Sequence, residues 1–401
     1  MVGGRSVGVS VTNDGETLYS YRRRARNAPA SNEKLLLSMA LLERVGREFR
    51  IETSAGVTAV AAGVVPGNLW ILGHGDPTVT GGGRYAEDLA GIGPTRLGIL
   101  ARKIKEAGIT SIEGSVIGAT GYFERDWWAP GWEASFPSEE VALPTALAFN
   151  GNQRHARHVS DPEKGAAEWL TKKLRSIGVK VTETPRAGRP PRHKEIVATI
   201  RSETLPKLMR FMNRNSSNFF AEVLGKRLAV ENYDGWGSIA DGARAIEAFA
   251  RGHGTTVEAN DSSGLSYRNH VSATGMTKLL TYAEAESWGP TLMSTLPAYG
   301  EGTLEDRPRV ARIRAKTGTL DGVSTLSGWV WLQQAGEWGE FSILSHGMDK
   351  STAAQIEDRI VRIVSRYGGP RSSVAATARA ATTSAFAAAY AVLEMDRPLG
   401  G

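Results

Sequence analysis

Three short groups of residues carry the side chains that would make a serine hydroxyl attack a carbonyl: Ser31-Asn-Glu-Lys34, Ser216-Ser-Asn218 and Lys316-Thr-Gly318. A free serine is a weak nucleophile and needs a base within reach. Lys34 follows Ser31 by three residues, so on a helix the two share a face. An amine serves as that base only if its pKa falls, which burial and a second cation achieve. Lys316 is the candidate second cation. A helix starting at Ser31 would also turn backbone N–H groups toward a developing oxyanion. Thr317 and Thr319 would set hydroxyls beside the Lys316 ammonium, a cradle for a carboxylate. Gly318 leaves room for a substrate backbone. The first two groups each arise by chance about once in a chain of this length, and the third in roughly one such chain in ten. The weight therefore lies in their order and context.

Each group also has a plainer reading. Ser31 and Ser216 are residue types that cap helices. Lys34 reads equally as a solvated charge, and Lys316 as an exposed cation at a strand end. His155-Ala-Arg-His158 has metal-ligand spacing, but its Arg neighbours and the lack of a nearby carboxylate pair make it a surface stretch. His346 follows a predicted strand, and whether it faces a cleft stays open. Trp127, Trp128 and Trp132 could stack on sugars, although packing within the middle of the chain is the commoner use.

The elements that must position these residues are legible in outline. Val7–Val11 and Thr17–Tyr21 flank an Asp14-Gly15 turn and predict a hairpin. A helix is expected from Ser31 to Gly46, with Leu35, Met39, Leu42 and Val45 on its apolar face. Helical patterning returns from Leu205 through Leu228. Val310–Ala315, Ser324–Leu332 and Glu340–Ser345 then read as strands, and Ser351 as the cap of a helix through Ile356, Ile360, Ile363, Val364 and Tyr367, ended by Gly368-Gly-Pro370. Strands and a helix at each end predict an antiparallel sheet built from both termini, with helices on it and an insert between: an α+β fold. The expected division is 1–50 and 201–369 for the sheet-bearing part, 51–200 for the insert, and 370–401 for an Ala-rich tail.

Composition narrows the function classes. The 401 residues include 41% apolar and 22% charged side chains and no Cys, which excludes whole-chain disorder, disulfide scaffolds, thiolate metal sites and a cysteine nucleophile. Arg carries most of the positive side of the net charge of +6, in runs such as Tyr21–Arg26, Arg186–Lys194 and Arg307–Lys316. Acidic residues are interspersed, so a solvated basic face is the expected reading, and no nucleic-acid-binding motif accompanies the runs. No window has the length and apolarity of a transmembrane helix, and the first residues lack the pattern of a signal peptide.

The order Ser-x-x-Lys, Ser-x-Asn, Lys-Thr-Gly resembles that of penicillin-recognising serine enzymes. Flanking residues sharpen the likeness: Pro29-Ala-Ser-Asn-Glu-Lys-Leu35, Asn215-Ser-Ser-Asn-Phe-Phe-Ala-Glu222, Asp261-Ser-Ser-Gly-Leu-Ser266 and Lys316–Thr319 with Leu326-Ser-Gly328. With Leu69–Thr78 and Gly108–Phe123, they resemble the D-Ala-D-Ala carboxypeptidases of the S13 (DacB-type, class C penicillin-binding protein) family, over residues 5 to about 368. The resemblance implies a β-lactamase/transpeptidase-like fold split around an insert, and an acyl-enzyme formed on peptidoglycan stem peptides ending in D-Ala-D-Ala. It implies β-lactams as covalent inhibitors, no metal or organic cofactor, no nucleic-acid partner and an extracytoplasmic location. Ser31 would be the nucleophile and Lys34 its base; Ser216 and Asn218 would relay protons and hold the acylamide chain. Lys316, Thr317 and Thr319 would bind the terminal carboxylate, with the Ser31 and Thr319 N–H groups as oxyanion hole. The rival readings are a β-lactamase or esterase of the same fold, and a non-catalytic polymer-binding relative. Asn32-Glu33 departs from the small polar residues usual between Ser and Lys, and an acid there would raise the pKa of Lys34.

Overall fold

The structure, a computed structural model, describes residues 6–366. Met1–Arg5, Tyr367, the Gly368–Pro370 stop and the Ala-rich tail lie outside the described residues. Two five-stranded sheets organise the molecule. The first runs Ile313–Leu320, Val323–Leu332, Glu337–His346, Ser6–Asn13, Glu16–Tyr21, antiparallel throughout. Both ends of the chain therefore build one sheet, as the strand pattern predicts. Asp14 and Gly15 take positive φ between the first two strands, the backbone a tight hairpin turn demands. Val7, Val9 and Val11 alternate into a core closed by Ile360, Val361 and Val364 of the helix Lys350–Ser365. The helix Ala273–Ala285 packs against the same sheet, where Thr277 meets Ser10 across a buried 2.9 Å hydroxyl pair.

The helix Glu33–Val45 is buried all round from Glu33 to Leu42 rather than along one face. It threads between the helices Leu205–Arg214, Asn218–Asn232 and Ile239–Gly252, so every direction meets another apolar surface. Gly46 ends it, as expected. The second sheet runs Arg186–Gly188, Val116–Ala119, Leu69–Gly73, Glu52–Val57, Glu195–Arg201; its first three strands are parallel and the remaining pairings antiparallel. It has its own apolar core, formed with the helices Leu97–Glu106 and Pro162–Ser176.

Several local expectations shift. The strand expected to stop at Ala315 runs from Ile313 to Leu320, so Lys316 sits mid-strand opposite Ser327; a buried lysine breaks the apolar pattern without breaking the ladder. The last helix is capped by Asp349, whose carboxylate accepts from the Thr352 N–H at 2.9 Å, in place of Ser351. The Arg307–Lys316 run is only partly a solvated face: Arg309 and Arg312 are exposed, but Arg307 is drawn onto Glu357 and Asp358 at 2.7 and 2.8 Å. Arg314 pairs with Glu301 at 3.0 Å.

Candidate active site

Ser31 does not cap its helix. It lies in a short 3-10 turn, Ala30–Asn32, that leads into the helix, with no side-chain cap bond. Its hydroxyl is free to accept from the Lys34 ammonium at 2.9 Å. The turn is clamped on two sides. Thr325 Oγ1 donates to the Pro29 carbonyl at 2.8 Å, and the strand bearing Gly318 presses on the turn so closely that a Cβ at Gly318 would lie 2.8 Å from that carbonyl oxygen. At Gly264, φ is +85° and a Cβ would come within 1.9 Å of the Ala30 carbonyl oxygen. Gly318, expected to admit substrate, instead lets the strand reach the nucleophile's turn. It is absent from the cleft wall that Thr317 and Thr319 line.

Lys34 is fully buried. Its ammonium donates to Ser31 Oγ, to Asn218 Oδ1 at 2.9 Å and to the Ser263 carbonyl at 2.5 Å. Burial brings its pKa down to about 8 against the opposing pull of Asp261, Glu222, Glu33 and Glu140. Glu33 does pull Lys34 upward, but behind Asp261 and Glu222, and burial holds its own carboxyl well above the usual range, toward the neutral form. The dominant influences on Lys34 are thus burial and carboxylates rather than a second cation.

The second motif spans the break between Leu205–Arg214 and Asn218–Asn232. Ser217, not Ser216, caps the second helix, accepting from the Phe220 N–H at 3.3 Å. Ser216 takes φ +53°, and its hydroxyl accepts from Lys316 Nζ at 2.9 Å. Lys316 is as buried as Lys34, and also donates to the Thr317 carbonyl at 2.8 Å. Burial pushes its pKa well below the usual lysine value, and the nearby cations Lys34 and Lys350 push the same way. Thr317 bonds to Thr303 through their hydroxyls at 2.7 Å. Ser31, Lys34, Ser216, Asn218 and Lys316 are thus brought together, and Ser31, Ser216, Asn218, Thr317 and Thr319 line one cleft of about 540 Å³.

Sequence reasoning gave no role to four contributors. The Asp261–Ser266 loop supplies the carbonyl that holds Lys34. Asp261 organises this loop by accepting from the Gly264 and Ser266 N–H groups at 2.9 and 2.7 Å, from Asn269 Nδ2 at 2.7 Å and from Trp132 Nε1 at 2.6 Å. Trp132 therefore packs beside the cleft, with Phe136, Val141 and Leu265, and not in the core of the second sheet. Glu222 accepts from the Ser262 and Ser263 N–H groups at 3.1 and 2.7 Å. Lys350 lines the cleft and donates to Ser324 Oγ at 2.9 Å; Arg307 lines it too. The Asp261-Ser-Ser-Gly264 run of the loop was a visible signal, whereas Lys350 and Arg307 had none beyond charge. His346 ends its strand, away from the cleft wall, and His158 meets the Pro137 carbonyl at 2.8 Å. Among the described residues no group of three or more His, Asp or Glu is arranged to hold a metal ion.

A serine on a buried lysine, a second serine on a second buried lysine, and a cleft between an antiparallel sheet and a helical cluster define the class of penicillin-recognising serine acyl-transfer enzymes. The chain belongs to the D-Ala-D-Ala carboxypeptidase 3 (S13) family, whose profile matches residues 2–156 and 142–367. It is 26% identical over 455 aligned positions to a D-alanyl-D-alanine carboxypeptidase of Actinomadura sp., covering 89% of this chain and 80% of the relative. It is 26% identical to the carboxypeptidase DacB of Mycolicibacterium smegmatis, covering 83% and 74%. The crystal structure of penicillin binding protein 4 (dacB) from Haemophilus influenzae superposes with a TM-score of 0.77 at 21% identity, covering 91% of this chain and 97% of the other. That protein complexed with a β-lactam gives 0.70 at 22% identity, over 91% and 97%.

Proposed function

We propose that this protein is a serine D-Ala-D-Ala carboxypeptidase that cleaves peptidoglycan stem peptides through an acyl-enzyme on Ser31, and that β-lactams acylate the same serine. The observation that carries the reading is the pair of linked contacts, Lys34 to Ser31 and Lys316 to Ser216, each at 2.9 Å and opening on one cleft. Neutral Lys34 takes the hydroxyl proton as Ser31 Oγ bonds to the carbonyl carbon between the two D-alanines. The N–H groups of Ser31 and Thr319 hold the oxyanion. Ser216, bonded to Lys316, passes a proton to the departing D-alanine amine as the C–N bond breaks, while Asn218 steadies the acyl chain and Lys34. Lys316, Thr317 and Thr319, joined by Lys350 and Arg307, take the terminal carboxylate. Water then hydrolyses the ester. We assign residues 1–50 and 201–369 to the catalytic unit and 51–200 to an insert, although the segment around Trp132 and Glu140 serves the cleft. The wall substrate implies action outside the cytoplasm. Among the described residues no helix is long and apolar enough to cross a membrane.

Fluorescent penicillin tests the reading. A stable label that disappears in Ser31→Ala, with D-alanine released from a stem pentapeptide, is the expected result; the variant's turnover falls by about 10⁴-fold or more. Rapid loss of label from the native protein would point to a β-lactamase. No label and no D-alanine would overturn the catalytic role of Ser31.

A further inference from the structure

The helix Lys350–Ser365 carries none of the three motifs, yet two adjacent acids on it reach the end of the cleft where cations gather. Glu357 and Asp358 are 1% and 6% exposed. Burying neighbouring carboxylates is unfavourable unless charged partners and hydrogen bonds meet them. Arg307 is the direct partner. Its Nη1 donates to Glu357 Oε2 at 2.7 Å, and its Nε and Nη2 to the Asp358 carboxylate at 3.3 and 2.8 Å. Nη2 also donates to the Ala354 carbonyl at 2.8 Å. The other carboxyl oxygen of Glu357 accepts from Ser324 Oγ at 2.6 Å, and that hydroxyl accepts from Lys350 Nζ at 2.9 Å. Tyr299 donates to Asp358 at 2.6 Å.

Both cations held this way line the Ser31 cleft, beside Thr303 and Thr317. A guanidinium has five N–H groups and an ammonium three. Among the described residues, Arg307 spends Nε, both Nη2 hydrogens and one Nη1 hydrogen on the contacts above, which leaves one N–H on Nη1. Lys350 spends one N–H on Ser324 and one on the Gly318 carbonyl at 3.4 Å, which also leaves one. Two free donors on two cations match the two oxygens of a carboxylate. Glu357 sets the polarity of this arrangement as well. An ionised carboxylate only accepts, so Ser324 gives its proton to Glu357 and turns a lone pair to Lys350. Burial pulls the Lys350 pKa down, and Glu357 is the strongest opposing influence, which favours the cationic amine.

We propose that Glu357 is a positioning residue for anion recognition in the Ser31 cleft: it fixes Arg307 directly and Lys350 through Ser324, so that each presents one free donor to a ligand carboxylate. The role rests on the acyl-transfer reading for its substrate, but the cations stand in the cleft whatever Ser31 does. Glu357 itself touches no ligand. Asp358 and the Ala354 carbonyl keep Arg307 on the helix, so a change at Glu357 loosens the two cations without unseating the helix.

The test compares one N-acetylated peptide ending in D-Ala-D-Ala with its C-terminal amide. Calorimetric titration uses Ser31→Ala, which leaves the peptides intact. Adding Glu357→Gln should lower the acid-over-amide preference about tenfold, the value of one charge-assisted hydrogen bond. Adding Ser324→Ala, which cuts the Lys350 branch alone, should lower it about threefold. With Ser31 intact, Glu357→Gln should raise KM for the acid about tenfold, keep kcat within about twofold and change the amide little. Circular dichroism melts check folding, and Ser324→Ala decides if Glu357→Gln does not fold. An unchanged acid-over-amide preference, an equal loss on both peptides, or no binding of the acid would overturn the role of Glu357. The expected loss of preference, with no D-alanine released by the native protein, would instead count against the catalytic reading of Ser31 alone.

Discussion

Lys34 and Lys316 are equally buried, and each holds at 2.9 Å a serine hydroxyl of the cleft wall. Their surroundings are opposite. Behind Lys34 stand Asp261, Glu222, Glu33 and Glu140, while the charges that act most on Lys316 are the cations Lys34 and Lys350. Taking an ammonium out of water costs several kcal/mol unless a counter-charge offsets it. On the acid-backed side the offset is partial, and Lys34 settles near 8, where it can both shed and regain a proton. On the other side no protein carboxylate provides the offset, and burial and neighbouring cations hold Lys316 well below the usual lysine value. In the proposed mechanism the missing anion is the substrate's own carboxylate. One lysine is tuned by the protein and the other is completed by what binds.

Replacing the lysines one at a time tests this contrast most severely. Lys34→Met should slow penicillin acylation by about 10²–10⁴-fold, the span of a lost general base, whatever the substrate. Lys316→Met should weaken kcat/KM strongly for peptides ending in a carboxylate and much less for the corresponding C-terminal amide. Equal losses on both substrates would break the assignment of Lys316 to the carboxylate. Lys350→Met comes next, since it removes one of several cations at that end: KM for the acid should rise by about tenfold with kcat little changed, the value of one charge-assisted bond.

Glu222→Gln is the smallest change and sharpens the acid-backed side. The amide oxygen can still accept from Ser262 and Ser263, but the anion is gone. Glu222 ionises only as pH approaches 8, where its anion favours protonated Lys34, so the acylation rate, which rises with pH as Lys34 loses its proton near 8, should be higher in the variant at pH 8 and little changed near pH 6. Stability gives an independent reading. Burial, reinforced by Asp261, lifts the Glu222 pKa to about 8 in the fold, above its unfolded value. Its stabilising contribution is complete below the unfolded value and is lost as pH rises toward 8. The melting temperature of the variant relative to the native protein should therefore climb from pH 5 to pH 8 and level off beyond. A flat difference across that range would remove Glu222 from the account.

How much was legible beforehand depended on how local the determinant is. The Asp14-Gly15 hairpin and the two-ended sheet rest on residue type and short-range periodicity, and they stand where the pattern puts them. Capping failed as a guide at Ser31 and Ser351, because a serine hydroxyl has more than one use. At Ser31 the rival partner, Lys34, won. Burial of Glu33 was unreadable from sequence, since a helix with an apolar face and a helix buried all round share the same leucines.

The amino-acid sequence alone determined which chemistry was available: two serines, two lysines and an asparagine in a set order, strands at both ends and no thiol. Only the tertiary structure decided their state. It brought residues 31, 216 and 316 together, placed Lys350 and the Asp261 loop beside them, and made Gly318 a clearance for backbone rather than for substrate. It also set the protonation of both lysines, because a pKa depends on the water excluded and the charges gathered around a group, and those come from distant parts of the chain.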